Sequence, residues 1–387
     1  MERRLKMVPF VILLFLISGC AKQDRIERVV ENGVEVVINH EEPYRVNAQP
    51  ASLVLEKETS IDMEKDDIAR IGLPDVRGVR ADSEGNIYLW RYERAEKFLF
   101  KFDKKGTFLK SFGSKGQGPG EIQRVSYCSI DSRDNIIISD GANRKILFFN
   151  SIGEVSQEIR YPLNMTDAVP LENGKFLVIR HITDASGARS IRLVLTDPDF
   201  EEINELDVFK QPPFIKGGKN KMPLRAFLFE WRITKDKICI GNEQRGYEIL
   251  VFDLEGNLQR KIRKEYRPLS LPEKLREEAE DYLSKNPNAK QWFYVPEEIP
   301  SYNSFFIDDE DRVYVMTYEK VLNEDEYVHD VFTSDGVYFA RQSLKSYGKV
   351  RWNLEPPSVV ARNGRLYCLQ EKESGYKELV VYKMRWE

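Results

Sequence analysis

The sequence predicts an all-β fold, a six-bladed β-propeller of four-stranded antiparallel blades, closed by an N-terminal strand and carrying one helical loop insertion. The first observation is a sequence repeat that occurs six times in the 387 residues. Each copy consists of a polar turn, a short apolar strand, a variable stretch and a second strand. The second is that the copies are spaced close to the roughly 40–50 residues of known propeller repeats. The third is that the last copy lacks a fourth strand, which an earlier segment can supply.

The N-terminus has the pattern of an export signal. Three basic residues precede an apolar run over residues 7–17, which is shorter than the about 20 residues that a membrane-spanning helix needs. The sequence Ile17-Ser18-Gly19-Cys20 follows and resembles a bacterial lipobox, in which the cysteine thiol is lipidated and becomes the first mature residue. The alternative is an ordinary secretion signal with a chance cysteine.

Three segments are therefore predicted: a lipoprotein signal peptide over residues 1–19, an anchor linker with a leading segment over 20–50, and the propeller over 51–387. A lipid on Cys20 would hold the protein in the bacterial cell envelope. Ala21 and Lys22 provide no acidic retention signal of the enterobacterial kind, which favours the outer membrane. The periplasmic and surface sides both stay open.

The first copy of the repeat is the clearest. Residues 82–86 form a polar turn, residues 87–90 a short apolar strand, and residues 103–106 a second turn of the Asp-x-x-Gly type, which supplies the geometry that tight hairpins need. Spacings of 49, 40, 62, 75 and 53 separate the residues that precede each second strand, which are Asn86, Asn135, Lys175, Lys237, Arg312 and Arg365.

Closure of the ring can be predicted from the strand count. The sixth copy has strands near residues 358–361, 366–370 and 378–384, and the printed sequence then stops at Glu387. A blade without its outer strand would leave an open edge. Residues 52–56, Ser-Leu-Val-Leu-Glu, precede the first copy and have strand character, so we expect them to complete the last blade.

Residues 112–121 read FGSKGQGPGE and resemble the FG-x-KG-x-GPGE loop of six-bladed β-propeller lipoproteins, relatives of NHL-repeat and TolB-like propellers. Residues 82–89 are similar to their D-x-x-GNIYV signature, and residues 34–39 with Pro43 resemble their leading segment. The resemblance extends over about residues 30–387. It implies the propeller fold and an exported, lipid-anchored protein, but no defined activity. The glycine loop lacks the Gly-Lys-Ser/Thr end of a phosphate-binding loop, so we interpret it as a tight crossing between blades.

Function is expected on one face of the propeller. Tight turns join the first strand of each repeat to the second and the third to the fourth, and these turns fall on one face because successive hairpins alternate ends. The longer connections fall on the other face, where loops on a rigid scaffold usually carry function. We call these the turn face and the loop face. The longest loop-face connections cover residues 113–124, 207–226, 263–301 and 344–356.

The insertion at about residues 265–300 contains a predicted helix. Residues 270–273 read as a capping box with an early proline, and Asn286-Pro287 ends the helix. Its apolar face comprises Leu275, Ala279, Tyr282 and Leu283. Trp292 follows the helix. One interpretation makes it part of a lid or of an aromatic platform for a sugar or peptide. The other is that it packs beneath a helix that only covers the rim.

The start of each inner strand predicts which side chains surround the channel mouth. These residues are Arg77, Arg124, Asp167, Glu230, Asn303 and Ser358. The first five, with Trp292, are the candidate ligand-binding residues. Propeller hydrolases related to lactonases hold a divalent metal at this place, and Asp167, Glu230 and Asn303 could supply the oxygen ligands that Ca²⁺ prefers. Two arginines at the same mouth oppose a cation and suit an anionic ligand or a salt-bridge cluster.

Other chemistries have no support. The formal net charge of −4 argues against a nucleic-acid binder. The three histidines lack zinc spacing, no Gly-x-Ser-x-Gly elbow is present, and no catalytic residue is proposed. Cys128, Cys239 and Cys368 lie far apart in predicted strands, so we expect buried thiols rather than disulfides.

These observations predict a monomeric binding or scaffold module, without cofactor, for an envelope protein, peptide or glycan at the loop face. The alternative is a Ca²⁺-dependent, lactonase-like hydrolase or lyase, and a third possibility is a purely structural envelope component. High-affinity Ca²⁺ binding would separate the first two.

Overall fold

A computed structural model describes residues 26–44, 52–73, 75–211, 221–320, 326–345, 358–372 and 374–387. The predicted signal peptide and Cys20 lie outside these residues. The described chain begins with a hairpin, continues with a long strand and a short helix, and then enters the first blade. These elements are β1 (Glu27–Glu31), β2 (Val34–Asn39), β3 (Leu53–Asp62) and α1 (Asp66–Arg70).

The first three blades follow as antiparallel four-stranded sheets. Blade one contains β4 (Gly78–Ala81), β5 (Ile87–Trp90), β6 (Lys97–Phe102) and β7 (Phe108–Ser114). Blade two contains β8 (Val125–Ile130), β9 (Ile136–Asp140), β10 (Lys145–Phe149) and β11 (Val155–Arg160). Blade three contains β12 (Asp167–Pro170), β13 (Phe176–Thr183), β14 (Arg189–Thr196) and β15 (Glu202–Gln211).

Blade four and the insertion come next. A short strand, β16 (Met222–Pro223), precedes the blade, which contains β17 (Phe229–Ile233), β18 (Lys237–Asn242), a 3₁₀ turn at Glu243–Arg245, β19 (Glu248–Asp253) and β20 (Leu258–Lys264). The insertion contains β21 (Leu269–Ser270), α2 (Glu273–Lys285), α3 (Pro287–Lys290), β22 (Phe293–Tyr294) and β23 (Glu298–Ile299).

The last two blades finish the ring. Blade five contains β24 (Ser304–Ile307), β25 (Val313–Lys320), β26 (Glu326–Phe332) and β27 (Tyr338–Lys345). Blade six has three strands from the end of the chain, β28 (Ser358–Arg362), β29 (Arg365–Glu371) and β30 (Lys377–Trp386). The predicted six-bladed β-propeller is thereby confirmed.

The N-terminal strand closes the ring as predicted. Strand β3 pairs antiparallel with β30, with Leu53 opposite Trp386 and Asp62 opposite Glu378. The pairing therefore extends six residues beyond the predicted segment. Because β3 occupies the outer position of blade six, the ends of the propeller are held by backbone hydrogen bonds, and the outer edge of β30 is not open to another chain.

The core lies between neighbouring blades. Strands β4, β8, β12, β17, β24 and β28 are the innermost of their blades. Between blades six and one, Leu369 and Tyr367 pack with Val79, Leu89 and the closing-strand residue Ile61, and all five are buried. The three cysteines, Cys128, Cys239 and Cys368, are buried and unpaired, as predicted.

The hairpin β1–β2 extends blade four to six strands, which the sequence analysis did not foresee. Strand β2 runs parallel to β20, whose residues are more than 220 positions away in the chain. Arg263 donates to the Glu31 carboxylate at 2.8 Å. Hydrogen bonds from Arg263 and Lys261 lower the pKa of Glu31 to about 2. Asn39 donates to the Gly336 carbonyl at 3.0 Å and accepts from the Tyr338 amide at 2.7 Å, which fixes the hairpin to blade five.

The tight turns of the turn face are confirmed. In the turn between β4 and β5, the Asp82 carboxylate accepts the Asn86 amide at 2.8 Å. In the turn between β6 and β7, the Asp103 carboxylate accepts the Thr107 amide, also at 2.8 Å. Gly106 has a φ of 85°, a conformation that glycine adopts without strain. The same four-residue offset recurs between side chain and amide at Asp131, Asn150, Asp197, Asp253, Asp308 and Thr333.

The insertion packs its helix as predicted but begins it differently. Ala279 and Leu283 are buried against Leu224, with Tyr282 packed beside them. The capping box is wrong: Pro272 is the N-cap of α2 with no side-chain hydrogen bond, because Ser270 instead pairs with Glu298 across β21 and β23. No helix in the described ranges is long and apolar enough to cross a membrane.

Candidate functional site

The predicted mouth residues all lie at or beside the starts of inner strands. Asp167 and Ser358 begin β12 and β28, Glu230 is the second residue of β17, and the residues immediately before β4, β8 and β24 are Arg77, Arg124 and Asn303. Their surroundings differ. Arg124 and Asp167 share one polar group between blades two and three, whereas Glu230 and Asn303 share another between blades four and five.

Asp167 is a buried carboxyl at the junction of blades two and three. Its side chain is 9% exposed, accepts a hydrogen bond from the Ser139 hydroxyl and receives the Ala168 amide at 3.1 Å. Burial raises the pKa of Asp167 to about 7, and the negative charge of Asp140 also raises it, while Ser139, Ala168 and Arg124 act in the opposite direction. The group therefore titrates near neutrality, far above an ordinary aspartate.

Asp140 differs from Asp167 although it lies nearby. It is fully buried and accepts the backbone amides of Gln123 at 2.8 Å and Arg124 at 3.1 Å. The side-chain amide of Asn143 donates to it at 2.7 Å. Its charge is thus compensated by donors that are fixed by the backbone, and it holds the crossing between blades one and two in place.

Arg124 is half-buried, and its guanidinium forms no hydrogen bond or ion pair with any residue that the structure describes. It lies close enough to Asp167 to lower the pKa of that carboxyl. A methyl group added to Gly141 would collide with the Ser126 hydroxyl and would lie 3.3 Å from the Thr166 carbonyl oxygen and 3.4 Å from an Arg124 guanidinium nitrogen. The absence of a side chain at Gly141 therefore makes room for the Ser126 hydroxyl beside Arg124.

The Ser126 hydroxyl fills the space beside Gly141. Its oxygen accepts the Gly141 amide at 3.1 Å, so its own hydrogen is directed elsewhere. Tyr161, which is 4% exposed, lies beside Ser139, and burial together with the Asp167 charge raises the pKa of its hydroxyl. Five polar side chains from two blades, with Gly141, are thus gathered here, and we call them the Arg124 cluster: Arg124, Ser126, Ser139, Tyr161 and Asp167.

Glu230 and Asn303 have partners of their own. Arg232 donates to Glu230 at 3.1 Å, and the Phe305 amide donates to the same carboxylate at 3.4 Å. Burial raises the pKa of Glu230, against the opposing charge of Arg232. Asn303 is buried and hydrogen-bonds with the hydroxyl of Tyr318.

Two further arginines, which the sequence pattern did not single out, lie on the inner strands β4 and β17. Arg80, on β4, has its guanidinium 5.9 Å from the centre of the Tyr127 ring, and Arg232, on β17, lies 5.2 Å from the centre of the Phe305 ring. Arg77, which was predicted, is exposed and has no side-chain hydrogen bond or ion pair within the described residues. The available signal was a single charged residue within an otherwise apolar inner strand, as in Val79-Arg80-Ala81.

The three predicted Ca²⁺ ligands do not share one set of contacts. Asp167 contacts Ser139 in one polar group, and Glu230 and Asn303 belong to the other. Within the described part of the chain, no three histidine, cysteine, aspartate or glutamate side chains are grouped as a metal ion would need. The three residues predicted as Ca²⁺ ligands are therefore divided between two polar groups in this structure.

The glycine loop has the contacts of a crossing between blades. The fully buried Lys145 donates to the Gly118 carbonyl at 2.7 Å, and Glu121 accepts the Gly118 amide at 2.8 Å. A methyl group on Gly116 would collide with the Glu121 carboxylate. The loop is thus filled by its own side chains, in agreement with the sequence interpretation.

Among the described residues, exposed aromatic side chains lie only on the loop face. Trp292 is half-buried beside β22. All four exposed tyrosines of the described chain lie in loop-face connections, and they are Tyr92, Tyr266, Tyr294 and Tyr376. The exposed large apolar residues outside the loop face are aliphatic, such as Leu109 and Ile152.

Comparisons with known proteins agree with this architecture. Residues 79–212 match the family DUF5128, which is described as a 6-bladed beta-propeller. A candidate exported protein from Bacteroides fragilis is similar over 90% of this chain and 99% of its own, with 14% identity and a TM-score of 0.50. A member of the duf4221 family from Bacteroides vulgatus is similar over 87% of this chain and 98% of its own, with 13% identity and a TM-score of 0.49.

A gluconolactonase from Xanthomonas campestris is similar over 87% of this chain and 99% of its own, but with 10% identity and a TM-score of 0.39, which carries no argument about activity. No curated protein matches the chain in sequence. The similarities bear on fold alone and confirm the resemblance to six-bladed propellers. The chain is a six-bladed β-propeller of mostly four-stranded antiparallel blades.

Proposed function

We propose that this protein is an exported, lipid-anchored binding module that takes a protein, peptide or glycan of the bacterial cell envelope at its loop face. The observation that carries the proposal is that all four exposed tyrosines of the described residues lie on that face. Tyrosine offers a rigid apolar ring and a polar hydroxyl, and it is enriched among residues that dominate binding energy. Export is further supported by the description of the Bacteroides fragilis protein as a candidate exported protein.

The turn face provides a contrast that strengthens this proposal. Polar contacts between turns connect each pair of neighbouring blades there: Ser83 with Asp134, Ser132 with Glu172, Asn173 with Leu254, Lys237 with Asp311, Gly364 with Asp309, and Asn363 with Asp82. A partner at that face would have to compete with hydrogen bonds already made within the chain. The loop face instead offers exposed tyrosine rings, and the guanidinium groups of Arg77 and Arg124 make no hydrogen bond or ion pair with a described residue.

The test places a photo-crosslinking amino acid at single exposed positions of the full-length chain in intact bacteria. Replacement of Tyr92 or Tyr376 probes the loop face, and replacement of Ile152 is the matched control on the turn face. We expect crosslinks to one discrete partner from the loop-face positions only. Binding of the purified chain to glycan and peptide arrays, compared between Tyr92→Ala and Ile152→Ala, then identifies the partner's class. Crosslinks from Ile152 alone, or no loop-face partner in either assay, would contradict the proposal.

The anchor is tested separately. Metabolic labelling with radioactive palmitate should label the wild-type chain, and Cys20→Ser should abolish the label, because the lipobox cysteine supplies the acylated thiol. Cys128→Ser is the control, since that thiol is buried in the fold. Fractionation on a density gradient then assigns the labelled protein to the outer or the inner membrane. Persistent labelling of the Cys20→Ser chain would refute lipid anchoring at this residue.

A further inference from the structure

We propose that a cavity among the inner strands of blades four, five and six binds a small inorganic anion of the size of chloride. This inference goes beyond the proposed loop-face function and does not depend on it. It combines the size and position of the cavity, the charges of the inner strands, and the hydrogen-bond donors that reach the cavity. The bound anion would join three neighbouring blades at their inner strands.

The cavity has room for one small particle. Its volume is about 10 Å³, which is about what a single water molecule needs, and chloride is only slightly larger than water. Arg232 of β17 lines it from blade four, Val359 of β28 lines it from blade six, and five residues of blade five complete it, among them Ser304. A monatomic anion therefore suits this cavity better than a carboxylate or phosphate group does.

The inner strands of the blades carry more positive than negative charge. Their charged side chains are the guanidinium groups of Arg80, Arg232 and Arg362 and the carboxyl groups of Asp167 and Glu230. Burial raises the pKa of Asp167 to about 7 and also raises the pKa of Glu230. Both carboxyls therefore resist ionisation, whereas a guanidinium stays charged. An anion among these strands would meet a net positive charge.

Two of the three arginines account for this excess. Arg362 ends β28 and lies 3.8 Å from the Asp134 carboxylate, which balances its charge. Arg80 forms no ion pair with any residue that the structure describes, and its guanidinium lies 5.9 Å from the centre of the Tyr127 ring. Withdrawal from water raises the pKa of Tyr127, and the charges of Arg80 and Arg232 both oppose this rise. The two guanidinium groups, from blades one and four, thus act on the same region between the inner strands.

Hydrogen-bond donors from two blades reach the cavity. Arg232 donates to the Glu230 carboxylate at 3.1 Å and to the Trp231 carbonyl at 2.8 Å, and a guanidinium has five N–H donors, so donors remain for a ligand. Ser304 is only 5% exposed, and its hydroxyl contacts the Met316 sulfur at 3.9 Å, which is a weak acceptor. A chloride in the cavity would accept hydrogen bonds from Arg232 and from the Ser304 hydroxyl. Glu230 is the nearest charge that opposes its binding.

The test compares thermal melts of the full-length chain, solubilised in detergent, in sodium chloride and in sodium gluconate at equal concentration. We expect chloride to raise the melting temperature by about 2–4 °C relative to gluconate, as a ligand does at about 10 to 100 times its dissociation constant. In Arg232→Gln this difference between the two salts should vanish. Arg133→Gln, which changes an exposed residue on the turn face, should keep it. General salt effects are shared by all three proteins and cancel in this comparison.

A second variant and a direct measurement make the test specific. Glu230→Gln removes the opposing charge but keeps the arginine, so the chloride concentration that gives half of the shift should fall several-fold. Crystals grown in sodium bromide should show an anomalous scattering peak within hydrogen-bond distance of Arg232 and Ser304. Equal melting of the wild type in both salts, or a chloride effect that persists in Arg232→Gln, would overturn the inference, and the cavity would then hold water. A bromide peak without chloride-dependent melting would mark an adventitious ion only and would overturn it as well.

Discussion

Replacing Asp167 with asparagine should stabilise the propeller, and the gain should depend on pH. Asp167 is 9% exposed, and burial raises its pKa from the ordinary 3.8 to about 7. Asparagine has nearly the same shape but cannot ionise. It also retains a carbonyl oxygen for the hydrogen bonds that the carboxyl now receives from Ser139 and Ala168.

The magnitude follows from the two pKa values. A shift of about three units corresponds to about 4 kcal/mol of unfolding free energy. In the unfolded chain Asp167 ionises near pH 4, whereas in the folded chain it ionises near pH 7. The wild type therefore loses stability from this residue as the pH rises from about 4 to 7, and the loss is complete and constant above that range.

Between pH 4.5 and pH 8 the advantage of Asp167→Asn should thus grow by about 3 kcal/mol. The entropy of unfolding is about 2.1 cal/mol/K per residue, or about 0.7 kcal/mol/K for residues 52–387. The difference in melting temperature between variant and wild type should therefore increase by about 4 °C. Any loss from altered hydrogen bonds is the same at both pH values and cancels in this comparison.

The assay is a series of thermal melts by circular dichroism from pH 4.5 to pH 8. Asp103→Asn is the control: hydrogen bonds from Thr107 and Lys105 lower the pKa of Asp103. The stability that the ionised Asp103 contributes is present throughout this range and is lost only at more acidic pH. The difference in melting temperature between Asp103→Asn and wild type should therefore not change with pH. A flat difference for Asp167→Asn as well would refute the argument that this carboxyl resists ionisation in the folded protein.

Three further outcomes are expected. Lys145→Met should destabilise the protein by about 3 kcal/mol in denaturant unfolding, because it leaves the Glu158 carboxylate and the Gly118 carbonyl without their buried cation; an unchanged midpoint would contradict this. Ile61→Ala, on the closing strand, should lower stability by about 2–4 kcal/mol, whereas Lys57→Ala on the same strand should change it by less than about 0.5 kcal/mol. Burial raises the pKa values of three thiols, those of Cys128, Cys239 and Cys368. Ellman's reagent should therefore react with these thiols only after the protein unfolds.

Local patterns were sufficient to predict the blades and their turns. Asp82 and Asp103 begin turns in which the carboxylate accepts the amide four residues later, so a single residue type determines each turn. Closure by β3 was also predictable, because a count of strands leaves one outer position empty in blade six. These features depend on contacts close in sequence or on a simple inventory.

Features that depend on distant partners were not predictable. Residues 34–39 resemble the leading segment of the propeller family, but nothing in them indicates a parallel pairing with β20 more than 220 residues away. Ser270 has the local pattern of a helix cap, yet pairing with Glu298 places it in a strand. For the candidate site, the sequence predicted that Arg124 and Asp167 lie at the mouth. It could not predict that Ser139 of blade two would contact Asp167 of blade three, because that pairing depends on blade geometry.

The distribution of unengaged groups indicates where on the loop face a partner should bind first. At blades four and five, Arg225, Arg245 and Arg263 are all held by carboxylates of the chain itself. At blades one and two, Arg77 and Arg124 are not engaged by any residue in the described ranges. At blades four and five, a ligand would have to replace an ion pair that the arginine already makes with a carboxylate of the chain. At blades one and two, a ligand would have to displace only water. An acidic group of the proposed loop-face partner is therefore expected to bind on the side of blades one and two.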